Sequence, residues 1–171
     1  MYVNFIFLAV FIGYSTGIAP ITSYHYGADN KKELNNILKR SSVIIGIVAI
    51  AMCGISEFLA NSLASGFVGY DKELLAMTTH AFRIYGIAFL FSGISIFGSA
   101  FFTALNDGLT SATIAFLRTL LFQCYSVLIM PIFFGLDGIW FSIIVAETLS
   151  VAVTITFLAI KNKKFGYWGK F

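Results

Sequence analysis

Charge is what this chain has least of: Asp, Glu, Lys and Arg make up 11% of its 171 residues, whereas a soluble domain carries about a quarter. So few charges cannot keep a chain of this length solvated in water. Cysteine and histidine are equally sparse, two of each. Cys53 and Cys124 each fall inside an apolar run, where a thiol reads as a small core side chain and not as half of a disulfide or metal pair. The two histidines, His25 and His80, fall on opposite sides of a membrane in the layout below, so they cannot share a metal. No Gly-x-Gly-x-x-Gly, P-loop, His-Glu-x-x-His or Cys-x-x-Cys pattern is present, which removes the usual signatures of soluble catalysis. The sequence therefore points away from an enzyme and names no catalytic residue, no metal ligand and no cofactor. The net charge of +3 does not indicate nucleic acid, because the basic residues sit beside apolar segments.

What the chain has is oil. It is 58% hydrophobic, its mean hydropathy is +0.88, and Met1 to Tyr24, Ile84 to Asn106 and Thr119 to Leu136 contain no charged side chain. At about 1.5 Å per residue, each run nearly or fully crosses a hydrocarbon layer about 30 Å thick. In lipid every backbone amide must be satisfied within the protein, which leaves helices or a closed barrel. Runs such as Val43 to Ile50 lack the alternation of a barrel strand, so helices are expected. Five spans are expected, at about 2–25, 41–62, 79–105, 112–134 and 138–160, joined by short polar loops. Asp71 is placed to cap an early start of the third, with Glu73 in its first turn.

Basic residues set the expected orientation. Lys31, Lys32, Lys39 and Arg40 fall in the first loop and Lys161, Lys163, Lys164 and Lys170 in the tail, against Lys72 alone between the second and third spans. Cytoplasmic loops carry the Lys/Arg excess. Five crossings with a cytoplasmic tail put the N-terminus outside, with nothing ahead of the first helix to set topology. That arrangement is expected of the back end of something longer. The segment Phe165 to Lys170 reads as an interfacial anchor.

Residues Gly13 to Asn30, with Gly17-Ile18-Ala19-Pro20-Ile21 and Tyr24-His25-Tyr26-Gly27-Ala28, resemble the eighth helix and following loop of multidrug and toxic compound extrusion (MATE) transporters. The resemblance continues through Gly93-Ile94-Ser95, Phe101 to Leu105, Arg118, Pro131 and Gly135 to Trp140. It implies an all-α, polytopic membrane protein in the cell membrane, with five transmembrane helices forming most of one lobe of a twelve-helix MATE-like transporter. Such a transporter exports organic compounds, cationic or amphipathic, in exchange for Na⁺ or H⁺. The implied partners are the lipid bilayer, small organic substrates and the missing N-terminal lobe. Thr103 stands where the family commonly has Gln and Ser95 where it often has Asn, and Asn106-Asp107-Gly108 replaces the usual turn. The family's coupling carboxylates lie largely in helices outside this stretch.

Four residues are candidates for the transport pathway. Glu147 falls near mid-membrane, where an acidic side chain is costly and faces protein or water. It would handle cation or substrate, or serve packing while bonded to a neighbouring helix. Arg118 would snorkel to headgroups, line the inward cavity or bond the first loop. Pro20 removes one backbone donor inside the first helix, bending it or freeing a carbonyl. Ser95 enters through the resemblance. Glu57 and Arg83 are expected to form a structural pair, and Gly86, Gly93 and Gly98 permit close helix contact. The reading that follows is part of a multidrug efflux antiporter, inactive alone. Its rivals are a lipid or lipid-linked oligosaccharide flippase, or a non-transporting oligomeric membrane protein.

Overall fold

A computed structural model describes residues 2–167, and among these no strand occurs. Helix α1 spans Tyr2–Gly27 and α2 spans Lys31–Val68. Helices α3, Lys72–Gly86, and α4, Phe89–Ala104, follow. Then come α5, Gly108–Phe116, a π-helical turn at Leu117–Phe122, and α6, Gln123–Phe165. The apolar runs thus form rods, as lipid requires.

Three corrections to the expected boundaries each have a local cause. The loop expected before Arg40 is already helix from Lys31, because Asn30 accepts the Glu33 amide at 3.1 Å as an N-cap and Leu34, Ile37 and Leu38 are buried on one face. The third span is broken: α3 and α4 meet at a 49° bend. Asp71 caps α3 as expected, its carboxylate accepting from the amides of Glu73 and Leu74 at 2.9 and 3.2 Å. The fourth and fifth spans run into each other without a loop. Their reversal is made at Gly135, whose φ of 58° and ψ of −135° lie outside the helical region and suit glycine alone.

That reversal is visible in who meets whom. Arg118 and Glu147 are 29 residues apart yet hydrogen-bonded, whereas a straight helix would hold them roughly 43 Å apart. The 58-residue stretch Gly108–Phe165 is therefore a hairpin with limbs 108–134 and 136–165. By length and composition three helices can cross a membrane, and four when the bent pair counts as one span. With the hairpin counted as two limbs, the bundle has five rods.

Helix α4 is the central rod, touching α1, α2, α5 and α6. Its glycines allow this. A methyl group on Gly93 would lie 2.7 Å from Ile45 of α2 and from Phe11 of α1, and one on Gly98 would strike Thr154 of α6. Small residues at such crossings let backbones approach where no hydrophobic force acts between helices. Around them Phe11, Ile45, Phe97, Phe101, Phe102 and Leu158 form the core. Outward faces are apolar as well, with Phe58, Ile132 and Phe133 largely exposed, which suits lipid and not water.

At the lysine-rich end the chain turns inward. Gly166, in the left-handed region at φ 67°, ends α6 and drives Tyr167 into the core, where it is fully buried and donates to the Leu158 carbonyl at 2.9 Å. Phe165 is buried too. The anchor expected from Phe165 to Lys170 is thus a plug over its first part, and Trp168 to Lys170 lie outside the described residues. Neither cysteine is bonded. Cys53 is partly buried, whereas Cys124 faces outward and is not a core residue.

Candidate functional site

One charge on each limb of the hairpin, Arg118 and Glu147, meets the other. Arg118 Nη2 donates to Glu147 Oε1 at 2.7 Å, and Nε donates to both carboxylate oxygens at 3.0 and 3.1 Å. The side chains retain only 20% and 11% of their exposure. A charge-assisted fork of this kind satisfies the carboxylate from two directions. In a low-dielectric interior, removing either partner strands the other, which costs far more than the pair contributes. Arg118 lies in the π-helical turn, where widened backbone geometry frequently marks function.

In the sequence Arg118 and Glu147 stand as separate candidates, and the fold makes them partners. Arg118 bonds Glu147 and not the first loop. The signal was present: within 112–134 and 138–160 they are the sole charged residues, of opposite sign, on either side of a short turn.

The other candidates fall elsewhere. Ser95 is fully buried on α4 and its hydroxyl has no hydrogen-bond partner. Pro20 lies on an exposed face of α1, and the helix continues unbroken through it. The backbone breaks lie instead at the α3–α4 bend and at Gly135. A hydroxyl cluster not anticipated from sequence joins α4 to α5, Ser99 and Thr103 contacting the Ser111 hydroxyl at 2.9 and 2.7 Å.

Each end of the bundle carries its own pairs. At the end away from the lysines, His80 Nε2 lies 3.2 Å from Asp137, and Arg83 lies 3.8 Å from Glu57 as expected. At the lysine-rich end Lys161 Nζ is 2.9 Å from Asp107, which also caps α5 by accepting from the Thr110 amide at 3.4 Å. Burial pushes the Asp107 carboxyl up, but the hydrogen bonds from Lys161 and Thr110 outweigh it and hold the group below the usual carboxylate range. Among the described residues no cluster of three His, Cys, Asp or Glu side chains could hold a metal ion.

Rods of this length around a glycine-lined central helix, with an ion pair between the limbs of the hairpin, define an all-α, multi-pass membrane protein. The sequence pattern of the MatE family matches residues 1–128, and the chain belongs to that family. It is similar to the multidrug export protein MepA of Staphylococcus saprophyticus subsp. saprophyticus, 27% identical over 147 residues, covering 82% of this chain and 30% of the relative. MepA of Staphylococcus aureus strain MSSA476 is 24% identical over 140 residues, with the same coverage. The chain thus spans about 30% of the length of these curated relatives. No solved structure matches.

Proposed function

We propose that this chain supplies helices eight to twelve of a cation-coupled multidrug exporter, most of its C-terminal lobe, and that export needs the N-terminal lobe as well. The single observation that carries the reading is the buried Arg118–Glu147 pair inside a MatE-family bundle. Membrane proteins keep intramembrane ion pairs mainly where a cation, proton or substrate is handled. In the proposed mechanism an entering Na⁺, H⁺ or cationic substrate competes with Arg118 for the Glu147 carboxylate. Loosening the fork frees the limbs of the hairpin to shift as one lobe rocks against the other. The protein resides in the cell membrane, the cytoplasmic membrane of a bacterium, with the N-terminus outside and the lysine-rich end in the cytoplasm.

Two observations favour this over its rivals. Arg118, which a flippase would need for a pyrophosphate, is neutralised by Glu147. Gly86, Gly93 and Gly98 pack against Ser56, Phe11, Ile45 and Thr154 of the same chain, so none of the three is left for a homo-oligomer.

The test joins these residues to the front portion of a MepA-type exporter in an exporter-deficient host. Dye accumulation should fall for the chimera and stay unchanged for the chain alone. Glu147→Gln in the chimera should restore accumulation. Full export by that variant would remove Glu147 from the mechanism, and export by the chain alone would overturn the two-lobe reading.

A further inference from the structure

We propose that the lysine-rich end carries a binding site for anionic phospholipid, with Lys32, Lys39 and Arg40 of α2 and Lys163 and Lys164 of α6 meeting the phosphate of the headgroup. The inference rests on the chain spanning a membrane and is independent of whether it exports anything.

The first observation is length. Helix α2 has 38 residues, about 57 Å at 1.5 Å per residue, against about 30 Å of hydrocarbon. Its basic first turns therefore project beyond the acyl layer to headgroup level.

The second is a stripe. Lys32, Lys39, Val43 and Ile50 are exposed, and their spacings of seven, eleven and eighteen residues return to one face of a helix. That face lies opposite buried Leu34, Leu38 and Ile45. It is cationic where it begins and apolar where it continues, Val43 being 61% and Ile50 68% exposed. A ligand that satisfies both halves has an anionic head and a hydrocarbon tail. A free phosphate or a nucleic acid would leave the upper half uncovered.

The third is convergence with α6. Lys31 packs its side chain against Gly166, Phe165 meets the Tyr26 ring at 5.7 Å, and Lys164 Nζ stands 4.8 Å over the Phe165 ring. The start of α2 and the end of α6 thus form one rim with an aromatic floor. Of its acids, Asp29 lies 3.5 Å from Lys31 and Asp107 2.9 Å from Lys161, while Glu33 accepts from the Asn36 side-chain amide and keeps its charge. No carboxylate among the described residues lies within 4 Å of the ammonium or guanidinium groups of Lys32, Lys39, Arg40, Lys163 or Lys164.

The test reconstitutes the chain in phosphatidylcholine bilayers with trace spin-labelled phosphatidylglycerol or phosphatidylcholine. The motionally restricted lipid fraction is read by electron paramagnetic resonance. Phosphatidylglycerol should be preferred by about fivefold at low ionic strength, and the preference should fall towards unity at about 1 M salt, where screening shortens to about 3 Å. The variant Lys32→Gln/Lys39→Gln/Arg40→Gln should lose most of it, while Lys72→Gln at the other end should keep it. Equal restriction of both lipids, or a preference unmoved by salt, would overturn the proposal without reference to any variant. A preference lost equally on Lys72→Gln would overturn the placement.

Discussion

Arg118 and Glu147 close a fork at 2.7 Å across the two limbs of a hairpin whose vertex is Gly135. Because the pair is buried, its members are worth most as a unit. Glu147→Ala should destabilise the bundle by about 3–5 kcal/mol, and Arg118→Ala by a similar amount, while Arg118→Ala/Glu147→Ala should cost less than the sum. A double-mutant cycle by unfolding in mixed micelles measures this. Strict additivity would mean that the two side chains do not act on each other.

Gly93 and Gly98 of α4 should divide sharply from Gly46 and Gly54 of α2. Gly93→Leu and Gly98→Leu push a side chain into Phe11, Ile45 or Thr154, and overpacking of this kind costs about 1–3 kcal/mol or more. A methyl group on Gly46 or Gly54 of α2 would meet nothing within 4 Å. Gly46→Ala should therefore be neutral or stabilise by up to about 1 kcal/mol through helix propensity. Thermal unfolding in detergent separates the two groups.

At the vertex, Gly135→Ala should be costly although nothing crowds the position. The cost is conformational, of order 1–3 kcal/mol, because φ 58° with ψ −135° is a glycine conformation. Gly108→Ala, also uncrowded and without a positive φ, is the matched control. Equal stability of the two variants would show that the turn tolerates a side chain.

Acid should loosen the lysine-rich end. The Asp107 carboxyl is held below its ordinary range, with burial opposing and the bonds from Lys161 and Thr110 prevailing. A group depressed in the folded state contributes stability that is present above its unfolded pKa, about 3.9. That contribution is lost as pH falls through the folded value. Stability at this end should therefore be flat from neutrality to about pH 5 and decline below about pH 4. Asp107→Asn should be less stable at neutral pH and should lack that part of the decline. Amide exchange in 107–111 and 158–165 across pH, corrected for intrinsic rates, follows it.

The rods themselves were legible because lipid enforces them: charge-free runs of spanning length have few alternatives to helix. Asp71 was legible as a cap for the same local reason, an acidic side chain just ahead of exposed amides. Lys31 to Arg40 misled, since dense charge reads as loop while the burial of Leu34, Ile37 and Leu38 depends on neighbours far along the chain. The α3–α4 bend was also hidden. It has no proline, and Gly86 against Ser56 is a packing fact. Tyr167 could not be foreseen either, because its burial depends on α6 ending in the left-handed turn at Gly166 and on a pocket beside Phe101. Of the pathway candidates, the depth of Glu147 and Arg118 was readable one by one, and their partnership required knowing that the limbs fold back.

The hairpin also constrains biogenesis. A limb delivered to the bilayer by itself would expose a bare guanidinium or carboxylate to hydrocarbon, a cost of about 2.5–3.5 kcal/mol for arginine at mid-depth. Entering side by side, the limbs cancel that charge before either meets the acyl chains. The insertion machinery should therefore hold 108–134 until 136–165 has emerged from the ribosome, and release them together.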